Sequence, residues 1–170
     1  IAMNIGRVHF KKIIVFRPHN VYGPDMGWKH VIPQFIERIQ KEIERLNSRT
    51  IQLEIRGDGE DSRSFCYIDD IVSGILRMSE YGSDREIYNI GNDNEIKIKE
   101  LVQLIANHMD VKIIIKNLPA MEGSTKRRCP NINKIRGLGY NPKVSLSNGL
   151  KNTIDWYTSK SVSKKNNDLL

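Results

Sequence analysis

The sequence predicts an α/β fold, and three observations support that prediction. Short runs of β-branched and aromatic residues alternate with longer segments whose apolar residues recur at helical spacing. The run Lys12–Phe16 is continuously apolar after its lysine, which is typical of a strand buried on both faces of a parallel sheet. Of the 170 residues, 39% are hydrophobic and 28% charged, so the chain can bury a core and is not a disordered polyelectrolyte.

The first elements follow from local pattern. Residues 1–10 are predicted to be the end of a helix, and the strand at Lys12–Phe16 is followed by a loop at Tyr22–Asp25. A strong helix comes next, with Pro33 in its first turn, where the missing N–H costs nothing. Its apolar positions recur at helical spacing: Ile32, Phe35, Ile36, Ile39, Ile43 and Leu46.

An alternating strand and a second helix occupy the middle of the chain. The strand is predicted at Ile51–Ile55 and is closed by the turn Gly57–Gly59. The helix is entered through Asp69 and Asp70, acidic residues that suit an N-terminal turn. Its predicted apolar face consists of Ile68, Ile71, Val72, Ile75 and Leu76.

The remaining elements continue the alternation. Strands are predicted at Glu86–Ile90 and Val111–Ile115, and a loop at Asn117–Pro130. The helix between the two strands is predicted to bury Ile98, Leu101, Val102, Ile105 and Met109. A final helix with Ser145 as its cap is predicted to bury Leu146, Leu150, Ile154 and Tyr157. The polar, basic stretch 158–170 is predicted to be a flexible tail.

Charge and cysteine content narrow the class of protein. The net charge of +7 suits an anionic partner, although a solvated surface and the basic tail explain the surplus without one. No apolar run approaches the roughly 20 residues that span a bilayer. Two cysteines are too few for a disulfide framework or a four-ligand zinc site, and the start of the chain carries no secretory signal. We expect a cytoplasmic protein without a metal site.

One polar cluster, Arg17–Pro24, directly follows the first predicted strand. Ligands of open α/β sheets bind in the crevice beyond the carboxyl ends of strands, so His19 and Asn20 are well placed to touch one. In the alternative interpretation, Asn20 caps a turn and His19 is an interior residue with its hydrogen bonds satisfied.

Two further clusters are basic. Arg63 follows a glycine-bounded loop and could pair bidentately with a carboxylate or phosphate, unless Glu60 or Asp61 pairs with it on the surface. The triplet Lys126–Arg128 could clamp a diphosphate or be a solvated charge run. The sequence has no G-x-G-x-x-G loop or P-loop, and its four histidines lack metal-ligand spacing.

Taken together, the clusters resemble the C-terminal half of the extended short-chain dehydrogenase/reductase family, which comprises NAD-dependent nucleotide-sugar epimerases, dehydratases and decarboxylases. The matching motifs, in order, are Arg17–Pro24, Gly57–Asp70, Tyr88–Asn92, Arg128–Ile132 and Leu138–Pro142. The resemblance runs from residue 1 to about residue 157. It implies the C-terminal part of a Rossmann-type fold with a small α/β substrate-binding lobe. Residues 1–24 would be a remnant of the NAD-binding domain and 25–157 the nucleotide-sugar lobe.

The resemblance implies cofactor and sugar contacts near the first strand. Pro18, His19 and Asn20 fall at positions that lie against NAD in the family, with His19 at the nicotinamide end. Asn20 would also contact the nucleotide sugar. His30 and Val31 fall where relatives line the base and phosphate pocket.

The resemblance also implies a diphosphate site. Arg63 and Arg128 match two arginines that bind the diphosphate in relatives. Asn131 falls where relatives usually carry an aspartate that holds the ribose hydroxyls. The amide keeps an acceptor but loses the charge-assisted hydrogen bond, so ribose binding would be weaker or differently oriented.

The family's Gly-rich turn and Tyr-x-x-x-Lys pair are absent. No tyrosine precedes Tyr22, and Ile1 aligns just past the position of that lysine. We therefore expect a sequence cut immediately downstream of the catalytic pair, with NAD bound mainly by a missing N-terminal domain. The chain alone should be catalytically inactive, because proton and hydride transfer need groups that it lacks.

The parent protein is expected to oxidise a sugar hydroxyl transiently with NAD and then to epimerise, dehydrate or decarboxylate the keto-sugar. The motifs do not choose among these reactions, nor do they identify the sugar or the base; a homodimer of the parent is expected. The competing interpretation is a non-enzymatic basic α/β module that binds nucleic acid or a protein. The basic residues of the chain are scattered and no aromatic-rich strand offers a stacking platform, so we expect no nucleic-acid partner. Because no apolar run is long enough to span a bilayer, we also expect no membrane partner.

Overall fold

The computed structural model describes residues 2–123 and 125–167. Its helices are α1 (Ala2–His9), α2 (Val31–Leu46), α3 (Ile68–Tyr81), α4 (Ile98–His108), α5 (Asn133–Arg136) and α6 (Leu146–Asn167). Its strands are β1 (Ile14–Pro18), β2 (Val21–Tyr22), β3 (Thr50–Arg56), β4 (Ser62–Ser64), β5 (Cys66–Tyr67), β6 (Glu86–Ile90), β7 (Glu95–Lys97), β8 (Lys112–Leu118) and β9 (Arg127–Arg128). The predicted α/β class is confirmed.

The chain divides into two compact units, each discontinuous in sequence. Unit 1 comprises Ile1–Val21, Ser64–Glu95 and Cys129–Val144. Unit 2 comprises Tyr22–Arg63, Ile96–Arg128 and Ser145–Leu170. The first 21 residues thus belong to a unit that also contains later segments. The functional division at residues 24 and 157 stays a prediction.

Unit 1 is built on a parallel pair of strands. β1 and β6 pair in register from Ile14 opposite Glu86 to Pro18 opposite Ile90, and α3 packs against both strands. Gly74 allows the close approach of α3, because a Cβ there would lie 2.5 Å from Ile90 Cγ2. The core of this unit consists of Cys66, Ile71, Met78, Tyr88, Ile90, Ile132, Ile135 and Tyr140.

Two burial predictions for unit 1 are wrong. Phe16 is 41% exposed, so β1 is not buried on both faces within the described structure. On α3, Ile71 is buried but Ile68, Val72 and Leu76 are exposed. The predicted apolar face covers a wider arc of the helix than the strand pair contacts, because one side of α3 alone packs on β1 and β6.

Unit 2 is built on a second parallel pair, β3 and β8, in register from Thr50 opposite Lys112 to Arg56 opposite Leu118. Helix α2 packs against β3, α4 packs against β8, and α6 packs against both helices. The inward residues of β3 alternate with polar ones, as predicted. The buried apolar residues of this unit include Ile32, Phe35, Ile36, Ile39, Ile51, Leu53, Ile55, Leu101, Val102, Ile105, Leu150, Ile154 and Tyr157.

The last helix begins with the predicted cap and ends later than predicted. Ser145 Oγ accepts the Asn148 N–H at 3.2 Å. Helix α6 continues past Tyr157 to Asn167, so the backbone of most of the 158–170 stretch is helical, and 168–170 lie outside the described residues. The flexibility of this stretch stays a prediction. Within the described chain, each helix is too short or too polar to cross a membrane.

Candidate functional site

The two arginines of the sequence motifs lie opposite each other in unit 2. Strands β4 and β9 are parallel, with Ser62 paired to Arg127 and Arg63 paired to Arg128. Neighbouring strands are separated by about 4.8 Å, and like charges directly opposite each other destabilise a sheet. An anion bound by both guanidinium groups would remove that repulsion.

Backbone carbonyls of the β4 and β9 segments orient the Arg63 guanidinium. Arg63 Nη1 donates to the Ser62 carbonyl at 2.7 Å and to the Lys126 carbonyl at 3.3 Å. Nη2 donates to Asp61 Oδ2 at 3.4 Å, and the side chain is 16% exposed. The surface pair with Asp61 that the sequence left open is therefore present but long, and Arg63 is held mainly by main-chain oxygen atoms.

Arg128 is more loosely held than Arg63. It is exposed, and its Nη2 donates to Thr125 Oγ1 at 3.4 Å. Within the described residues, no carboxylate pairs with its guanidinium. Arg128 can therefore turn towards a ligand without breaking an ion pair.

Both arginines line one cavity of about 890 Å³ that belongs to unit 2. Its walls are the ends of β3 and β8, the loop from Gly57 to Asp61 and described residues of the segments 117–123 and 125–128. The cavity opens beyond the carboxyl ends of two parallel strands, the place where open α/β sheets bind ligands. Gly57 and Gly59 have φ of +78° and +75°, which L side chains rarely adopt, so glycines shape this loop.

Acidic residues also line the cavity, and most are already engaged. The Glu60 carboxylate pairs with Lys97 at 2.7 Å and with Lys99, and these hydrogen bonds lower the pKa of Glu60 to about 2. Asp58 Oδ1 accepts the Glu60 N–H at 2.9 Å in a local turn. Glu60 therefore does not pair with Arg63, and its charge is balanced by two lysines that do not line the cavity.

Pro18, His19 and Asn20 lie in unit 1, where β1 ends. His19 N–H donates to the Ile90 carbonyl at 2.9 Å, but its buried Nε2 has no partner in the described structure. Asn20 has φ of +42°, and its Nδ2 donates to the Ser64 carbonyl at 2.7 Å. The alternative in which His19 is a fully satisfied interior residue does not hold for Nε2.

Asn131 also belongs to unit 1. Its Oδ1 accepts the Asn133 N–H at 2.9 Å, and its carbonyl accepts from Asn89 Nδ2 at 3.2 Å. Close to it, Gly91 lets two segments meet, since a Cβ there would lie 3.1 Å from both His19 Cβ and Pro130 Cγ. The side-chain acceptor of Asn131 is thus used in a local turn, and its role towards ribose stays a prediction.

His30 and Val31 lie in unit 2 but do not line the cavity. His30 is exposed at the start of α2, and Val31 is the first helical residue and half-buried. Their predicted place in a base and phosphate pocket stays a prediction. Across the described ranges, no three His, Cys, Asp or Glu side chains are grouped to hold a metal ion.

The sequence analysis did not single out Arg56, a cationic residue of the cavity. Arg56 ends β3 and lines the cavity beside Gly57. The signal was available, because Arg56 continues the outward-facing positions of an alternating strand directly before a Gly-Asp-Gly turn. Position alone did not distinguish it from a solvated surface arginine.

Comparison with known proteins gives a family and several relatives. The model of the NAD dependent epimerase/dehydratase family matches residues 3–91. The dTDP-D-glucose 4,6-dehydratase of Homo sapiens is 34% identical over 152 residues, which cover 85% of this chain and 41% of that protein.

Solved structures give the same picture. The UDP-glucose 4-epimerase of Thermotoga maritima, solved with UDP-glucose, has 30% identity and a TM-score of 0.74, covering 87% of this chain and 46% of that one. A dTDP-glucose 4,6-dehydratase from Streptomyces venezuelae with NAD bound has 26% identity and a TM-score of 0.78, covering 95% and 48%. The chain thus spans two fifths to one half of the length of these relatives.

Proposed function

Because this chain belongs to the NAD-dependent epimerase/dehydratase family, we propose that it is the substrate-binding portion of an enzyme that acts on a nucleotide diphosphate sugar. The observation that carries the proposal is the pair Arg63 and Arg128, opposite in register on neighbouring strands and lining one cavity. Relatives with known structures were solved with UDP-glucose or with NAD.

The diphosphate would be the group that the arginine pair binds. A diphosphate diester carries two negative charges, and two guanidinium groups balance them. Each charge-assisted hydrogen bond contributes about 1.5–3 kcal/mol when well formed. Binding energy at this non-reacting part of the substrate would hold the sugar in place for chemistry elsewhere.

Asn20 would contact the sugar, and Pro18, His19 and Asn20 would contact NAD. Because Asn20 Nδ2 is committed to the Ser64 carbonyl, its Oδ1 is the atom available to accept from a sugar hydroxyl. The buried, unpartnered His19 Nε2 fits a neighbouring polar ligand group such as the nicotinamide carboxamide. NAD, when bound, supplies reversible hydride transfer from the sugar. His30, Val31 and Asn131 are proposed as further substrate contacts.

In the parent enzyme, the keto-sugar formed after oxidation would be epimerised, dehydrated or decarboxylated. We expect the 170-residue chain alone to bind nucleotide without turning it over, since the proton-transfer pair that the family resemblance implies is not in its sequence. Binding of NAD mainly by another domain, a homodimer of the parent and a cytoplasmic location all remain predictions.

Calorimetric titration of the purified chain with UDP-glucose tests the proposal. Arg63→Gln and Arg128→Gln should each weaken binding about tenfold or more, because each removes charge-assisted hydrogen bonds to the diphosphate. Lys151→Gln is the charge-matched control, since Lys151 is exposed on α6 and does not line the cavity. It should bind like the parent sequence.

Two results would count against the proposal. If UDP-glucose binds equally to the parent sequence, the Arg63 variant and the Lys151 variant, the arginine pair is not the diphosphate site. If duplex or single-stranded RNA binds instead, with affinity falling steeply with salt, the chain is a nucleic-acid module. Circular dichroism of each variant shows that the fold is retained.

A further inference from the structure

The cavity of unit 2 has two chemically different ends. At one end Arg63, Arg128 and Lys126 supply positive charge. At the other end, where β3 and β8 stop, the lining includes Arg56 and the apolar Leu118, Ala120 and Met121, and the acidic Asp58 and Glu122 stand beside them in the chain. A ligand that fills both ends needs an anionic part joined to a flat, partly apolar part, and a nucleoside diphosphate has that composition.

Among the described residues at this end of the cavity, Arg56 is the charged side chain that carries hydrogen-bond donors, whereas the carboxylates of Asp58 and Glu122 carry acceptors alone. Arg56 is exposed, and in the described part of the chain its guanidinium has no hydrogen-bond or ion-pair partner. Its backbone, in contrast, belongs to the last residue of β3 and is held in place by the sheet. Its Cα pairs in register with Leu118, and the Gly57 N–H donates to the Leu118 carbonyl at 2.9 Å. The backbone that presents Arg56 is therefore rigid, while its donors are free.

We infer that Arg56 is a specificity-determining residue that donates to an exocyclic carbonyl oxygen of the nucleobase, so that the cavity prefers keto bases to amino bases. The inference rests on the proposed function. A guanidinium is a donor only, so it bonds O4 of uracil or thymine and O6 of guanine. The same positions in cytosine and adenine carry an amino group, which is a donor and repels it.

The alternative role for Arg56 is a third contact to the phosphate groups. The residues around Arg56 favour a contact to the base instead. Beside it the lining includes the apolar Leu118, Ala120 and Met121, against which a base can bury its faces, and the acidic Asp58 and Glu122, which would repel a phosphate. The guanidinium plane can also stack on an aromatic ring. In the proposed function, Arg63 and Arg128, which pair in register, already match the charge of the diphosphate.

The test uses pairs of ligands that differ in one exocyclic group. UDP against CDP, and IDP against ADP, are titrated into the full chain, with inorganic pyrophosphate as the probe without a base. The parent sequence should prefer the keto ligand of each pair by about fivefold or more, the range expected for one directed arginine contact. Arg56→Gln should reduce both ratios towards one and leave pyrophosphate binding unchanged.

Three variants sharpen the result. Arg56→Lys keeps the charge without the planar fork and should also lose the preference. Lys112→Gln, on the same sheet at its opposite end, should keep it. Arg63→Gln should weaken every ligand, pyrophosphate included, without changing the keto-to-amino ratios.

The outcomes separate this inference from the proposed function. If Arg56→Gln weakens pyrophosphate as much as UDP, Arg56 is a phosphate contact and the inference is wrong while the proposed function stands. If the parent sequence binds with Arg63 dependence but shows no keto preference, the inference alone fails. If no nucleoside diphosphate binds the parent sequence, both fail.

Discussion

In unit 2, α2 and α4 pack on the β3–β8 pair, and α6 packs on both helices, so that Ile36, Leu101 and Ile105 are fully buried. In unit 1, α3 packs on the β1–β6 pair and leaves one of its sides uncovered. The exposed large apolar residues of the described structure divide unevenly. Unit 1 contains Val8, Phe10, Phe16, Ile68, Val72, Leu76, Tyr81 and Ile87, whereas unit 2 contains Leu46, Ile114 and Met121.

This difference shows that the same building block is stabilised in two ways. A two-stranded sheet is marginal by itself, and a parallel one normally has both faces covered. Unit 2 meets this need with three helices and an apolar core. Unit 1 combines its core cluster with polar contacts, in which the Tyr140 hydroxyl donates to the Gly91 carbonyl at 2.8 Å and Asp70 accepts two backbone N–H groups. The cavity lies in the unit with the fuller core.

The largest expected change in the free energy of unfolding comes from a core substitution in unit 2, which we compare with a substitution in a helix of unit 1. Leu101→Ala in α4 removes a fully buried side chain and should lower the free energy of unfolding by about 2–5 kcal/mol. Leu76→Ala in α3, where the leucine is 65% exposed, should change it by less than about 0.5 kcal/mol. Urea denaturation followed by circular dichroism measures both values.

Equal destabilisation by the two leucine variants would break the comparison. It would mean that Leu76 is covered in solution and that the open side of α3 is occupied. As a control, the m-value of each variant should equal that of the parent sequence, which shows that both variants unfold from equally compact states.

Removing a polar contact of unit 1 should lower the free energy of unfolding by a smaller amount. Asp70 is 5% exposed, and its carboxylate accepts the N–H groups of Lys143 and Val144 at 2.9 and 3.0 Å. Asp70→Ala leaves two backbone donors without their acceptor and should cost about 1–3 kcal/mol. Asp69→Ala is matched in position on the first turn of α3 but is exposed, and should cost less than about 1 kcal/mol.

Hydrogen exchange of the Lys143 and Val144 amides shows whether the Asp70→Ala variant loses stability locally, at the two amides whose N–H groups Asp70 accepts. Both should exchange faster in the Asp70 variant than in the Asp69 variant. If the two variants are equally stable, unit 1 does not depend on this buried carboxylate.

Local patterns in the sequence were enough to predict the main elements. The alternation of β3 and the helical spacing of α2 and α4 each predicted the element and most of its buried face, whereas Leu46, at the end of α2, is 44% exposed. For α3, five apolar residues spread over a wide arc, and the sequence could not show which of them the strand pair would cover. Burial there depends on partners distant in the chain.

The candidate site was predictable in its residues but not in its construction. Arg63 and Arg128 were identified by motif, yet their pairing depends on β9, a two-residue strand within a predicted loop. Two arginines have no apolar period that could indicate a strand. Glu60 pairs with Lys97 and Lys99 and therefore not with Arg63. The sequence could not show this pairing either, because the lysines are on other elements than Glu60.

The last expected effect depends on pH and concerns the buried thiol of unit 1. Burial raises the pKa of Cys66 from 9.0 to about 11, and burial also raises the pKa of Tyr140, whose hydroxyl lies 3.5 Å from the thiol. The unfolded thiol loses its proton near pH 9 and the folded one near pH 11, so the unfolded chain binds fewer protons between these values. The stability that protonated Cys66 contributes below pH 9 should therefore decline as pH rises towards 11.

Cys66→Ala isolates this contribution, because the alanine variant has no thiol at position 66 to titrate. Its free energy of unfolding, measured in urea from pH 8 to 10.5, should decline less steeply than that of the parent sequence. Cys129→Ala is the control, since Cys129 is half-buried and lies outside the apolar core cluster. Parallel pH profiles for the Cys66 variant and the parent sequence would show that the thiol is solvated in solution and that the core of unit 1 is looser than its contacts indicate.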